Sequence, residues 1–194
     1  MDRTETAPVS LSMATLAASL GTTIEWYDFL IYAQLSVLLA TIFFPTTDPA
    51  AGILLSVGAL GSGYLFRPLG GLVFGALGDR IGRKQTFVIT MLLMGLATVC
   101  IGLLPPYSQI GILAPCLLVI LRLIQGLALG GEYGGAATYI AECAPPARIG
   151  FWTSWIQATA SLGLVLATGV ILVTKAAMSP EDFSTWGWRV PFLL

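Results

Sequence analysis

The sequence has no histidine and very little charge. Only 10% of its 194 residues are charged, 56% are hydrophobic, and the formal net charge is −1. Since an ordinary soluble domain carries about 25% charged residues, most of this chain is expected to lie in lipid. The near-zero net charge gives no reason to expect nucleic acid as a partner. Without histidine, proton chemistry near neutral pH would need carboxylates with shifted pKa values.

Cysteine is scarce and scattered. Cys100, Cys116 and Cys143 show no Cys-x-x-Cys spacing, so we interpret them as small packing residues rather than metal ligands or redox groups. An enzyme would need a nucleophile–base pair or a set of metal ligands, and the sequence offers neither. We therefore predict that the protein is not an enzyme, and that it uses no metal or cofactor.

Long apolar runs dominate the chain. A membrane-crossing helix needs about 20 apolar residues, and five such runs lie at about 11–44, 50–78, 86–104, 111–141 and 151–173. A sixth begins near 186 and stops at Leu194. We predict an all-α membrane bundle forming one unit, 1–194, that is cut off inside its sixth helix. Trp186 and Trp188 are expected to lie in an outer aromatic belt.

A short charged segment joins the second and third runs. It reads GALGDRIGRK at positions 75–84, and a basic loop between two spans is expected to stay cytoplasmic, which places the amino terminus inside as well. The segment resembles the cytoplasmic signature loop of the major facilitator superfamily. The resemblance implies a transporter built of two six-helix halves, of which this chain is the first. It also implies a cytoplasmic gate at Gly75, Asp79, Arg80, Gly82, Arg83 and Lys84.

Ionisable residues at membrane depth are costly and usually serve function. Three acids lie inside the predicted spans, Glu25, Asp28 and Glu132, against two arginines, Arg67 and Arg122. Arginine stays charged, so one carboxylate lacks a full partner. We predict that one of these three acids couples transport to protons. An ion-pair network that merely fixes helix packing is the alternative.

The two arginines are candidates to bind substrate, because the guanidinium fork matches a carboxylate. Polar neighbours at helical spacing extend this predicted substrate site, namely Gln125, Tyr32, Gln157 and Ser161. Serines on the fifth run could equally bond their own helix. The expected substrate is a small metabolite that bears a carboxylate, although a zwitterion would also fit.

Further strings resemble one branch of the superfamily, the metabolite:proton symporters. They are GTTIEWYDF at 21–29, FRPLGG at 66–71, GGEYGG at 130–135 and WGWRVPFL at 186–193. The resemblance implies proton-driven uptake across a bacterial plasma membrane, powered by the proton gradient, with a carboxy-terminal half as partner.

The segment ECAPPARIG at 142–150 resembles the family's loop after the fourth helix. The resemblance implies that Glu142 and Arg148 also belong to the cytoplasmic gate. With Asp79 and Arg83 they could form a salt-bridged latch at the inner mouth, or simply anchor the topology. Efflux, exchange and a non-transporting membrane subunit remain as alternative functions.

Overall fold

The computed structural model describes residues 11–194, except for the side chains of 11–14, 17, 18, 83, 84, 131–140, 142 and 143. The described chain is built from five long helices and three short ones. The long helices are α1 (Leu11–Phe43), α2 (Pro49–Ile81), α3 (Arg83–Leu103), α5 (Leu113–Cys143) and α6 (Ile149–Ala176), and the short ones are α4 (Tyr107–Ile110), α7 (Pro180–Thr185) and α8 (Val190–Leu193). Within these residues, all five long helices contain a stretch that is long and apolar enough to cross a membrane.

The helix ends follow from local chemistry. The carboxylate of Asp48 accepts a hydrogen bond from the amide of Ala50 at 2.9 Å, and Pro49 starts α2, where its missing N–H costs nothing. At the other end, α2 continues to Ile81 and α3 starts at Arg83, so Gly82 is their whole connection. Gly82 has φ +99, a conformation that side chains disfavour. The signature segment is therefore mostly helical, with Asp79 and Arg80 in the last turn of α2.

Two helix pairs pack at very short range. A Cβ added at Gly126 of α5 would collide with the carbonyl of Gly63 on α2, and one at Gly130 would meet the carbonyl of Arg67. Similarly, a Cβ at Gly163 of α6 would lie 2.6 Å from the Cβ of Trp26 on α1. Small residues allow this approach, which maximises van der Waals contact where lipid supplies no hydrophobic drive. By contrast, Gly75 has open space around it.

An apolar core closes one end of the bundle, where α1, α3 and α6 end and α5 begins. Trp188 lies in this core at 1% exposure and stacks edge-to-face against Phe43, with ring centroids 5.6 Å apart. The predicted aromatic belt is therefore wrong for Trp188, although Trp186 is 58% exposed. The reason is that α7 and the 3-10 turn Gly187–Arg189 turn the chain back onto the helix ends. We refer to this cluster as the apolar end.

Arg189 fastens this end to α3. Its guanidinium donates to the carbonyl of Leu104 at 3.1 Å and lies over the Trp188 ring, 4.5 Å from the centroid. Partial burial lowers the pKa of Arg189 from its ordinary value, but arginine starts so high that it remains charged.

Candidate functional site

The centre of the described bundle holds a buried ion pair. Asp28 on α1 accepts a hydrogen bond from Nη1 of Arg122 on α5 at 3.1 Å, and the two side chains are only 3% and 4% exposed. Neither charge could sit at this depth alone, because an isolated charge in a low-dielectric interior costs several kcal/mol. The ion pair joins two helices that are far apart in sequence.

Two polar side chains complete a closed ring with that pair. Gln125 accepts from Arg122 Nη1 at 2.8 Å and donates to Thr98 Oγ1 at 2.9 Å. Thr98, on α3, in turn donates to Asp28 Oδ1 at 2.8 Å. The four side chains therefore bridge α1, α3 and α5, and we call them the polar ring.

The ring of Tyr32 packs face-on against the guanidinium of Arg122. The Cζ atom of Arg122 lies 3.8 Å from the centroid of the Tyr32 ring, a cation–π contact. The phenol OH donates to the carbonyl of Ser56 on α2 at 3.2 Å, and Ser56 donates to the carbonyl of Ser36 at 2.9 Å. These bonds fix the orientation of Tyr32, and through it the plane of Arg122.

Arg122 has further hydrogen-bond donors that the polar ring does not use. Its Nε and Nη2 atoms are buried and have no hydrogen-bond partner among the described residues. One N–H of Nη2 points parallel to the N–H of Nε, and such a fork matches the two oxygens of a carboxylate. A buried donor without an acceptor costs about 1–3 kcal/mol, so the site gains stability from any acceptor that reaches this fork.

A cavity of about 20 Å³ opens beside the ring, with room for about one water molecule. Its wall includes Asp28, Arg122 and Gln125 from the ring and Tyr64 and Arg67 from α2. Arg67 is half-buried, and its Cζ lies 4.0 Å from the centroid of the Tyr64 ring. Two guanidinium groups thus share one small cavity.

Pro68 follows Arg67 inside α2. Proline has no N–H, so the carbonyl of Tyr64, four residues earlier, loses its helical partner. The helix therefore carries an interrupted turn at the wall of the cavity.

Four other predicted site residues are not among the polar-ring contacts that the structure describes. Glu25 is buried on α1, one turn before Asp28. Gln157 and Ser161 are exposed on α6, and the structure does not bring them into the polar ring. Glu132 lies outside the described side chains.

The predicted cytoplasmic gate is only partly described. Asp79, Arg80 and Arg148 are exposed, whereas Arg83, Lys84 and Glu142 are outside the described side chains. The salt-bridged latch therefore stays a prediction.

Thr98 is the member of the ring that sequence reasoning missed. The third apolar run contains several threonines, and most threonines in helices bond their own backbone, as Thr90 does to Phe87. A hydroxyl that reaches across to another helix has the same sequence signature. Only the packing of α3 against α1 and α5 identifies Thr98.

Comparison with known proteins gives consistent matches over nearly the whole chain. The family model described as "Sugar (and other) transporter" matches residues 13–194. A shikimate transporter of Escherichia coli is 46% identical, covering 98% of this chain and 44% of that protein. A proline/betaine transporter of Salmonella typhimurium is 42% identical, covering 95% of this chain and 37% of that protein. The chain thus spans less than half the length of these relatives.

The fold agrees with a solved structure. XylE of E. coli, described as a major facilitator superfamily proton:xylose symporter, superimposes with a TM-score of 0.82 at 23% identity. The match covers 94% of this chain and 41% of XylE.

Proposed function

The chain belongs to the family of sugar and other transporters, within the major facilitator superfamily, and from that premise we propose that it provides the proton site and one wall of the substrate site of a metabolite:proton symporter. The relatives are transporters rather than enzymes. The observation that carries the proposal is the buried Asp28–Arg122 pair beside an unused guanidinium fork.

Charge balance couples the proton to the substrate. With the site empty, the negative charge of Asp28 offsets the positive charge of Arg122. If a proton neutralises Asp28, Arg122 becomes an uncompensated buried charge, which is strongly unfavourable. A substrate carboxylate restores neutrality by binding the Nε and Nη2 fork. The neutral combinations are therefore the empty site with ionised Asp28, and the loaded site with a proton on Asp28.

The charge balance favours an anionic metabolite, and the fork itself also accepts the carboxylate of a zwitterion. Shikimate, proline and betaine, the compounds in the names of the two relatives, each carry one carboxylate. Arg67 adds a second positive group at the cavity wall, where it would stabilise the carboxylate as it enters. Because the cavity has room for only about one water molecule, the helices must separate before the carboxylate can reach the fork.

We place the protein in the bacterial plasma membrane with its amino terminus in the cytoplasm. Five helices suitable for crossing the membrane support this location, as do the bacterial relatives. The orientation rests on the excess of Arg and Lys in loops assigned to the inside. Transport itself is expected to need a carboxy-terminal bundle opposite this one, because alternating access requires two bundles around a central site.

The test separates net transport from exchange. In proteoliposomes that contain this bundle together with its carboxy-terminal bundle, under an imposed pH gradient, Asp28→Asn should lose accumulation of a labelled organic acid, since an amide cannot take up a proton. Exchange of labelled for unlabelled substrate should survive, because it needs no net proton movement. Glu25→Gln is the matched control, as it removes another buried acid on the same helix.

Accumulation by Asp28→Asn at the level of the unmodified protein would refute the proposal. Loss of accumulation in Glu25→Gln alone would move the proton site one turn along α1. Substrate that accumulates inside the liposomes while protons move out would instead indicate a proton exchanger, which is the efflux alternative.

A further inference from the structure

Thr98 occupies the position in the polar ring where a change in protonation must be accommodated. Its Oγ1 atom lies 2.8 Å from Asp28 Oδ1 and 2.9 Å from the carbonyl oxygen of Met94, and both are acceptors. It also accepts from Gln125 Nε2 at 2.9 Å. The hydroxyl has one hydrogen to donate and two lone pairs with which to accept, so it cannot fully satisfy both acceptors at once.

We infer that Thr98 is a positioning residue whose hydroxyl reverses its hydrogen bond with Asp28 as that carboxylate gains and loses a proton. This inference rests on the proposed function, since it deepens the role of the same site. While Asp28 is ionised, the Thr98 hydroxyl donates to Oδ1. When Asp28 is protonated on Oδ1, the new carboxyl O–H donates to Thr98 Oγ1, and the threonine hydrogen turns to the Met94 carbonyl.

The step balances without covalent chemistry at Thr98. The incoming proton forms one new bond, to Oδ1 of Asp28, and the threonine O–H only rotates about its Cβ–Oγ1 bond. Gln125 keeps its bond to Oγ1 throughout, because the second lone pair remains available. Both protonation states of Asp28 therefore keep a hydrogen-bond partner, and no heavy atom has to move.

This arrangement removes a penalty that would otherwise oppose coupling. A buried carboxyl O–H without an acceptor, or a buried carboxylate that lacks a donor, carries a desolvation penalty that no hydrogen bond offsets. With the hydroxyl present, protonation can proceed without that cost. Thr98 also makes α3 sensitive to the proton, since its donor direction depends on the charge of a residue on α1.

Other ionisable groups lie near Asp28 in the part of the chain that the structure describes. They include Glu25, Tyr27 and Tyr32 on α1, Tyr64 and Arg67 on α2, and Arg122 on α5. All of them remain in a variant of Thr98, so their influence cancels when variants are compared at this position alone.

Infrared difference spectra of the protein reconstituted in liposomes test the inference directly. They are recorded between high and low pH in the presence of the organic acid used for transport, because the loaded site is the one in which Asp28 is expected to hold a proton. A carboxyl C=O band that is lost in Asp28→Asn belongs to Asp28. In Thr98→Val this band should move to higher frequency, because the protonated carboxyl has lost its acceptor. In Thr98→Ser the band should stay where it is, since serine keeps the hydroxyl.

Transport supplies the second readout. Thr98→Val should lower proton-driven accumulation about tenfold, the effect of one hydrogen bond to a charged group, and Thr98→Ser should restore it. If the valine protein does not insert, Thr98→Ala gives the same readout.

An Asp28 band that is unchanged in valine and alanine variants overturns the role of Thr98 and leaves the proposed function standing. Equal impairment in the valine and serine variants also overturns it, in favour of simple packing. If the unmodified protein shows no Asp28 band, the proton site lies elsewhere, and the proposed function fails together with the inference.

Discussion

The apolar end and the polar ring hold the same helices together by different physics. At the apolar end, Phe43, Trp188 and Phe192 interlock through shape, and nothing in these contacts depends on protonation. In the polar ring, charge and hydrogen bonds hold Asp28 and Arg122, and the proposed reversal at Thr98 would make one hydrogen bond of the ring depend on the proton. One region is therefore a fixed clamp, and the other is where the proposed change of arrangement would take place.

The difference indicates how a transporter can move without falling apart. Dense apolar packing resists intermediate geometries, so the apolar end should keep α1, α3 and α6 together through the cycle. The polar ring has no apolar filling of its own and is bordered by a cavity. Motion that accompanies loading is expected to start at the ring.

The largest effect is expected from breaking the ring while leaving one charge behind. Asp28→Leu removes the partner of Arg122, which should destabilise the protein by about 3–5 kcal/mol because a buried guanidinium remains uncompensated. The double variant Asp28→Leu/Arg122→Leu should recover most of that loss. Unfolding monitored by steric trapping in bicelles measures both, and equal stability of the single and double variants would contradict the ion pair.

The second effect concerns the apolar end. Trp188→Ala should cost about 3 kcal/mol through the cavity it leaves. Since no titrating group takes part, the loss should be the same at pH 5 and pH 8. Trp186→Ala is the matched control, because Trp186 is exposed, and it should change stability little. If the loss of stability in Trp188→Ala varied with pH, the apolar end would also depend on protonation, and its contrast with the polar ring would disappear.

The smallest effect is expected where polar groups meet at the surface of the bundle. Gln34 on α1 donates to Thr168 on α6 at 3.2 Å, and Gln34 is exposed. Interhelical hydrogen bonds in membranes average about 0.6 kcal/mol, so Gln34→Leu should change stability by no more than about that. Thr168→Val should match it. A loss comparable to that of Asp28→Leu would mean that polarity alone, rather than buried charge, distinguishes the ring.

Sequence reasoning predicted the fold well, because membrane-spanning helices can be recognised by their length and their apolar composition. The all-α bundle, the five long helices and the resemblance to the major facilitator superfamily are confirmed. The helix ends were less predictable. Residues 79–81 continue α2 because a single positive-φ glycine suffices to turn the chain, and charge alone does not reveal that.

The sequence predicted most residues of the candidate site, but it did not predict which of them contact one another. The sequence pointed to Asp28 and Arg122 because charge at membrane depth needs a reason. It could not show that Asp28 pairs with Arg122, since Glu25 lies on the same helix face three residues away. Gln125 was predicted as a substrate ligand, and the structure bonds it to Arg122 and Thr98. Whether it also meets substrate stays a prediction.

The paired burial of Asp28 and Arg122 also constrains how this protein can change over evolutionary time. A variant that loses only one of the two charges leaves the other buried without its partner, and selection would remove such a destabilised protein. Positions 28 and 122 should therefore be inherited as a unit, kept together or exchanged together. A lineage that lost the buried ion pair would have to give up both residues at nearly the same moment, so fewer evolutionary routes lead away from this pair than the single substitutions suggest.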